Sequence, residues 1–396
     1  MKELEVYVHI PFCVSKCNYC DFLSAPASEN IQNAYVDQLL LEIRAAGLAY
    51  KNNFVTSVFI GGGTPTVLPA AQMQRILNQL NDSFHIRRNA EMTIECNPGT
   101  MDARKLEVYQ QAGVNRLSIG LQSADPKELR LLGRIHTFEQ FLQNYELARE
   151  FGFDNINIDI ISSLPGQKID TYEQTLRKVT ALKPEHISAY SLMIEEGTPF
   201  FERYGQAEAL RQKGKKQGQL PSEEEERQMY ELTKKLLKQS GYERYEISNY
   251  ALPGYGCRHN TGYWLRKNYI GIGLGASSCV ENIRFSNITD LDEYLKLDIS
   301  DLSCLCSVRE ELNISAQMEE FMFLGLRMMC GVSAEKFQKQ FSYSMEEVYG
   351  HVINKQLKEN LIRKTLKGYC LTEYGIDVSN YVMSEYIFDG EYSRRD

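Results

Sequence analysis

Residues 6–20, Val-Tyr-Val-His-Ile-Pro-Phe-Cys-Val-Ser-Lys-Cys-Asn-Tyr-Cys, join a short apolar run directly to three closely spaced cysteines. The run over residues 6–10 is typical of a buried strand, and the loop after it carries Cys13, Cys17 and Cys20. Five more apolar runs of similar length follow in the first half of the chain. They predict strands over residues 57–60, 91–96, 116–121, 156–161 and 186–191.

Amphipathic stretches with helix signals separate these runs. Thr137 with Gln140 predicts a capping box, Gly152 predicts the end of that helix, and Asp170 with Glu173 predicts the start of the next one. Near-continuous apolar strands that alternate with helices indicate a parallel sheet covered by helices. Such a sheet either closes toward a barrel or stays open, and in both cases ligands lie at the carboxyl ends of the strands.

The second half of the chain is divided by composition. Residues 205–221 are polar and include Lys213, Lys215 and Lys216, which predicts a solvated linker. Ser222 with Glu225 predicts a capped helix, and a segment rich in glycine and tyrosine follows. From about residue 315 the pattern predicts three helices, a hairpin and a helix that begins at Thr372, the order of a winged-helix module. The predicted domains are residues 1–220, 221–310 and 311–396.

Charge and hydropathy exclude several function classes. The 396 residues carry a formal charge of −8, and residues 315–396 hold 10 Lys/Arg and 12 Asp/Glu, so we expect no nucleic-acid binding. No apolar run reaches the length of a membrane span, and residues 1–10 lack the apolar core of a signal peptide, so we expect a cytoplasmic protein. In a reducing compartment, ten cysteines favour metal binding or catalysis over disulfides.

The cysteine triplet predicts an iron–sulfur site. A structural zinc ion needs four ligands, whereas three cysteines on one tight loop suit a [4Fe–4S] cluster with one iron left open. The alternative is a zinc site completed by a distant cysteine or by His9. The spacing of three and then two residues after a strand, inside a parallel α/β pattern, makes zinc the weaker interpretation.

The segment around the triplet resembles the radical S-adenosylmethionine superfamily. More narrowly, it is similar to the HemN/HemW family of oxygen-independent coproporphyrinogen III oxidases and their heme-chaperone relatives. The resemblance covers nearly the whole chain and implies an α/β fold: a partial, TIM-like (β/α)6 barrel, a small α+β segment and a winged-helix-like C-terminal domain. It also implies that S-adenosylmethionine chelates the open iron and is cleaved to a 5′-deoxyadenosyl radical.

The same resemblance implies which residues hold S-adenosylmethionine. Gly61-Gly62-Gly63-Thr64-Pro65 is not a phosphate loop, since no Lys-Ser/Thr follows, and a plain strand-to-helix turn is the alternative. Arg134 suits a forked pair with a carboxylate and Asp159 suits ribose hydroxyls, although each alone is typical of a surface ion pair. The implied residues are Tyr7, Tyr19, Gly62, Gly63, Thr64, Glu95, Gln122, Arg134 and Asp159.

Departures from the oxidases point to the HemW branch. The oxidases have a fourth cysteine where this chain has Phe22, and they carry an N-terminal extension that the printed chain lacks. The implied function is delivery of heme to heme apoproteins of the respiratory chain, with a homodimer and a peripheral membrane contact left open. The rivals are a coproporphyrinogen III oxidase and another radical enzyme of unknown substrate, so whether the chain is an enzyme stays open.

The resemblance also indicates where heme binds. His259-Asn260-Thr261-Gly262-Tyr263-Trp264 matches the family signature HNxxYW, which is linked with heme handling. Imidazole and thiolate both bind heme iron, so His259 is the first ligand candidate and Cys257 the second. The alternative is that His259 and Trp264 pack a domain junction. Ser277 stands where HemW-like chains usually have a histidine. Four other cysteines are expected to be buried thiols: Cys96, Cys279, Cys330 and Cys370.

Overall fold

Six parallel strands form the centre of a 12-stranded sheet in the computed structural model, which describes residues 1–215, 218–299 and 302–388. All six coincide with the predicted strands, and their pairing in chain order confirms a partial (β/α)6 barrel. Their bounds are β1 Lys2–Ile10, β2 Asn53–Gly62, β3 Ile86–Cys96, β4 Arg116–Gln122, β5 Ile156–Ser162 and β6 His186–Ser191.

Further strands extend the same sheet at both sides. Beside β1 the order is β12-β11-β10-β9. Strand β9 is parallel to β1, and each of the next three strands is antiparallel to its neighbour. Beside β6 the order is β8-β7, where β8 is antiparallel to β6 and β7 is antiparallel to β8. The barrel is therefore open, and β7 and β12 are its two edges. The bounds are β7 Glu243–Arg244, β8 Asn249–Ala251, β9 Tyr269–Ile272, β10 Ser277–Val280, β11 Ile283–Asn287 and β12 Cys306–Glu311.

Alternation along each central strand separates an apolar outer core from a polar interior. On β4, Leu117 and Ile119 belong to the buried apolar cluster under the helices, whereas Ser118 lines an interior cavity. On β5, Ile158 packs outward and Asp159 faces the interior. The interior of this barrel consequently carries polar side chains along its length, from Arg116 at the amino end of β4 to Gln122 at its carboxyl end.

Most helices pack on the outside of these strands, whereas the helix Arg258–Trp264 lies on the interior side, where His259 stacks on Phe59. The predicted capping boxes at Thr137 and Ser222 are confirmed, and Gly152 follows its helix with a φ of 82°. The bounds are α1 Glu29–Ala49, α2 Ala70–Ser83, α3 Ala103–Gln111, α4 Pro126–Leu131, α5 Phe138–Glu150, α6 Ile169–Ala181, α7 Pro199–Gln212, α8 Glu223–Gln239, α9 Arg258–Trp264 and α10 Leu291–Tyr294; single 3₁₀ turns lie at Pro65–Val67 and Leu302–Leu305.

Two local predictions were wrong. The first half of the predicted linker belongs to α7, whose N-cap Thr198 accepts from Phe201 N–H and whose Phe200 and Tyr204 are buried. The polar residues of that stretch form the solvent side of a helix, although Lys216 lies outside the described residues. The second wrong prediction is the start of α6. This helix begins at Ile169 after its N-cap Lys168, so Asp170 lies in the first turn and is not the cap.

The C-terminal residues form a separate apolar cluster with its own three-stranded sheet in the order β13-β15-β14. The predicted order of helices and hairpin is confirmed, and Thr372 caps α14 by accepting from Gly375 N–H. The predicted domain limits stay a prediction. The bounds are α11 Ile314–Leu326, β13 Val332–Ser333, α12 Ala334–Phe341, α13 Met345–Lys358, β14 Ile362–Lys364, β15 Gly368–Leu371, α14 Glu373–Asp377 and α15 Ser379–Ser384.

Within the three described ranges, no helix has both the length and the hydropathy that crossing a bilayer requires. This includes α11, whose apolar residues pack against the C-terminal cluster.

Candidate functional site

The three cysteines line one cavity of about 130 Å³ at the carboxyl end of β1. Cys13 is buried, and Cys17 and Cys20 are partly exposed. The Cys20 N–H donates to the Cys17 carbonyl at 3.3 Å, and the Cys13 N–H donates to the Ala25 carbonyl at 3.3 Å. These backbone bonds fold residues 13–25 into a loop that holds three thiols around a common space.

The donor set fits a cluster better than a single zinc ion. Among the described residues, no three His, Cys, Asp or Glu side chains converge on a position for one metal ion. His9, the zinc alternative, has both nitrogens engaged: Nδ1 lies 2.9 Å from the Tyr7 hydroxyl and Nε2 lies 2.9 Å from the Leu23 carbonyl oxygen. The thiols surround a cavity instead of a point, as a polynuclear cluster requires.

Residues far apart in sequence share that cavity with the cysteines. Eight of the nine residues predicted for S-adenosylmethionine line it, namely Tyr19, Gly62, Gly63, Thr64, Glu95, Gln122, Arg134 and Asp159. Tyr7, the ninth, lines the two neighbouring cavities, where its hydroxyl contacts His9. The geometry thus brings the predicted set together at one edge of the sheet, while its role stays a prediction.

The glycine-rich turn is tied to the cysteine loop by its backbone. The N–H groups of Gly63 and Thr64 donate to the carbonyls of Ile10 and Phe12 at 2.9 and 2.7 Å. Gly62 has a φ of 115°, and a Cβ there would lie 2.6 Å from Cε1 of His9. Only glycine fits this close approach, which also lets the Gly62 N–H donate to Glu95 Oε2 at 3.0 Å.

Arg134 is the buried cation of this cavity, which Lys16 also lines. Its Nη2 donates to the Gly120 carbonyl at 2.6 Å and to Asn97, and its Nη1 lies 3.6 Å from the Cys17 sulfur. Its buried Nε has no hydrogen-bond partner among the described residues. Arg134 lines the cavity, and its charge suits an anionic ligand, such as the carboxylate of an amino acid.

Two carboxylates face the same space. Asp159 accepts from Asn157 at 2.8 Å and from Ser118 at 3.3 Å, and burial raises its pKa. Burial and the nearby Asp159 raise the pKa of Glu95 to about 8. A buried carboxyl with a raised pKa can both donate to and accept from a hydroxyl group of a ligand.

A larger cavity of about 570 Å³ adjoins the cysteine cavity and shares Phe22, Gly62 and Glu95 with it. Tyr263 and Trp264 of the predicted heme signature line it, as do Arg266 and Arg284. Its volume is in the range of sites for sizeable ligands, and its wall is mainly apolar with cations at one side. Ser277 also lines it and bonds Ser286 at 2.9 Å.

The two predicted heme ligands lie elsewhere. His259 is 1% exposed, with Nδ1 2.8 Å from the Ser57 hydroxyl and Nε2 2.9 Å from the Tyr263 hydroxyl. Burial and the charge of Arg116 lower its pKa to about 3. Cys257 is fully buried and its sulfur lies 3.4 Å from Glu91. Ligation by either residue stays a prediction, and it requires these bonds to open.

Several residues of the larger cavity escaped sequence reasoning. Cys279, predicted to be a buried thiol, is partly exposed and lines this cavity, and Cys330 is exposed; Cys96 and Cys370 are buried as predicted. Arg266 lies two positions after the heme signature, and this closeness is a sequence signal from which it could have been predicted. Arg284 and Glu320 carry no local signal, because they meet only through the tertiary fold.

Comparison with known proteins agrees with this architecture. Residues 7–179 match the model of the radical SAM superfamily, and residues 315–378 match that of the HemN C-terminal domain. The chain is 35% identical over 389 residues to the heme chaperone HemW of Lactococcus lactis, with 98% of each chain covered. It is 33% identical to the heme chaperone HemW of Bacillus subtilis, over 96% of this chain and 98% of that one.

A solved structure shows the same fold over nearly the whole length. The coproporphyrinogen III oxidase HemN of Escherichia coli matches with a TM-score of 0.82 and 24% identity, covering 97% of this chain and 90% of that one. The matches to these two HemW relatives, at 33 to 35% identity, extend over nearly the entire length of both chains. The chain therefore belongs to the HemW branch of the HemN/HemW family of radical SAM proteins.

Proposed function

We propose that this protein is a heme chaperone that binds a [4Fe–4S] cluster, S-adenosylmethionine and heme, and delivers heme to apoproteins of the respiratory chain. The observation that carries the proposal is the cavity of about 570 Å³ beside the cysteine cavity. Its apolar wall and its arginines suit a large planar ligand that carries carboxylates. The names of the HemW relatives support the same ligand.

The residues of the smaller cavity would hold the other two groups. Cys13, Cys17 and Cys20 would supply three thiolates, so one iron is left for the amino and carboxylate groups of S-adenosylmethionine. Arg134 would pair with that carboxylate, and Asp159 would accept ribose hydroxyls. When bound, the cluster supplies an electron that can cleave the sulfonium of S-adenosylmethionine.

Aromatic side chains would hold the heme in the larger cavity. Tyr263 packs edge-to-face on Tyr269, with ring centroids 4.6 Å apart, and Arg327 lies 4.3 Å from the centre of the Trp264 ring. These contacts fix both rings before any ligand arrives, so little side-chain entropy is lost on binding. Phe22, with 59% of its surface exposed, lies where the two cavities meet and can cover an apolar ligand.

The direct test is a heme titration of the anaerobically reconstituted protein, followed by mixing with a heme-free acceptor protein. We expect saturable binding of about one heme per chain and transfer of the bound heme to the acceptor. Heme that binds without saturation, or that never leaves, would contradict the chaperone function.

We expect no conversion of coproporphyrinogen III to protoporphyrinogen IX. The oxidases of the family have a fourth cysteine at the position of Phe22, and the exposed phenyl ring of Phe22 has no ligand atom to replace it. The measurement is chromatography of products formed under reducing, anaerobic conditions with S-adenosylmethionine, with a known coproporphyrinogen oxidase as positive control. Formation of the product would move the protein to the oxidase branch.

Ligation by the HNxxYW segment has its own test. We expect His259→Ala to shift the Soret band and weaken heme binding while the cluster stays intact. His351→Ala is the matched control, because it removes an exposed histidine of α13 that does not line the cavity and keeps His259. A ligand role predicts a spectral shift in His259→Ala alone, whereas unchanged spectra and affinities in His259→Ala and Cys257→Ala would limit both residues to packing.

A further inference from the structure

One carboxylate joins two arginines at the wall of the larger cavity. Glu320 on α11 accepts from Arg266 Nε at 2.9 Å and from Arg284 at 2.7 Å. The side chains of Arg266 and Glu320 are each 9% exposed, whereas that of Arg284 is 40% exposed. All three line the cavity, so a bound ligand contacts this ion-pair group directly.

The group has an excess of positive charge and of donors. Two guanidinium groups share a single carboxylate, and each guanidinium can hold a carboxylate of its own through two parallel N–H bonds. Arg266 has one further bond, to Asn282 at 3.1 Å. Lys267, the other cation of the wall, lies 3.8 Å from the carboxylate of Glu3 and 3.7 Å from Glu5, and is therefore already compensated. The uncompensated charge lies at Arg266 and Arg284.

We propose that Arg266 and Arg284 form the carboxylate anchor of this cavity and bind the two propionate groups of a tetrapyrrole in exchange for Glu320. The identity of the ligand rests on the proposed function. Glu320 occupies the anchor when no ligand is present, so it competes with the incoming propionates. Such an internal competitor lowers the affinity and hastens release, which suits a protein that transfers its ligand.

The exchange of Glu320 for propionates also changes the contacts of the C-terminal part of the chain. Glu320 belongs to α11, whereas Arg266 and Arg284 belong to the segment that extends the barrel sheet. When propionates take the arginines, α11 loses this contact, while the residues just after it keep the Glu246–Met328 bridge and the Arg327–Glu246 pair at 3.5 Å. Ligand entry thereby loosens one side of the attachment of α11.

The first experiment compares heme with heme dimethyl ester, whose propionates are uncharged, on the reconstituted full-length protein. We expect wild type to bind heme about tenfold more tightly than the ester, as the loss of a charged hydrogen bond predicts. Arg284→Gln should reduce that preference, and the double variant Arg266→Gln/Arg284→Gln should reduce it to near one. Arg177→Gln, which removes an arginine of a surface ion pair on α6, is the matched control and should leave the preference unchanged.

The second experiment removes the competitor. Glu320→Gln keeps an acceptor for Arg266 and should bind heme several-fold more tightly and release it more slowly to an acceptor, with no change for the ester. Equal binding of heme and ester by wild type would overturn the anchor, as would weaker heme binding by a folded Glu320→Gln variant. Absence of saturable binding for both ligands would instead contradict the proposed function itself.

Discussion

Replacing Cys13, Cys17 and Cys20 together by alanine is expected to lower the iron content from about four per chain to near zero. The three sulfurs line a single cavity, and among the described residues no group of His, Cys, Asp or Glu side chains converges on a position for a single metal ion. Cys96 also lines the cavity, but one remaining thiol that bonds the Ile94 carbonyl cannot replace three thiolates, and the other polar atoms there are oxygens and nitrogens, which are poor ligands for an iron–sulfur cluster.

The measurement is iron and acid-labile sulfide after anaerobic reconstitution. A matched control removes the same number of thiols elsewhere, at Cys304, Cys306 and Cys330, none of which lines the cavity. We expect the control to keep the full iron content. Full iron in the triple variant at Cys13, Cys17 and Cys20 would show that the cluster, if there is one, lies elsewhere.

A second large effect is expected in the pH dependence of stability, through Glu42 on α1. Its carboxyl accepts from the Gly273 N–H at 3.0 Å, from Asn287 at 2.7 Å and from the Tyr294 hydroxyl at 2.6 Å. Burial raises its pKa from 4.5 to about 7, and the three donors oppose that rise. The group therefore binds a proton more tightly in the folded protein than in the unfolded chain.

The sign follows from that difference. Because the pKa is raised on folding, the contribution of Glu42 to the free energy of unfolding is complete below pH 4.5 and is lost as the pH rises through about 7. The total loss is about 3 kcal/mol. Burial likewise raises the pKa of Glu5 and of Glu95 to about 8, so the fall in stability continues to that pH.

Denaturant unfolding at about pH 5 and about pH 8 measures the effect. Glu42→Gln keeps a carbonyl acceptor and cannot ionise, so its stability should fall about 2 to 3 kcal/mol less than that of wild type between these two conditions. Glu293→Gln, at an exposed position of α10, is the control and should follow wild type. Parallel pH profiles for Glu42→Gln and wild type would show that Glu42 is not the titrating group.

Much of the barrel was predictable because its signal is local. Every central strand combines apolar residues that pack under helices with short flanking turns, so runs such as residues 116–121 stand out. The alternation inside those runs was overlooked: Ser118 and Asp159 face the interior between apolar neighbours. That alternation, more than the apolar content, places the polar groups of the site.

What escaped prediction depends on distant pairing. Strand β9 has only four residues, one of them glycine, so its apolar pattern is too short to stand out. It is recognisable only by its pairing with β1. Helix α7 was missed because its polar face hides apolar residues at helical spacing. The cysteine cavity could be predicted through the family resemblance, whereas the contact of Glu320 with Arg266 and Arg284 joins residues 54 and 36 positions apart.

The open barrel bears on whether separate chains associate through the edges of their sheets. Its sheet ends in two edge strands, each paired on one side only, and exposed strand edges are templates for aggregation. Here one edge, β7, is only two residues long, and the other, β12, carries Arg309, Glu310 and Glu311 on an exposed strand. Short length at one side and charge at the other discourage edge-to-edge stacking of chains, so the barrel can stay open to large ligands without polymerising.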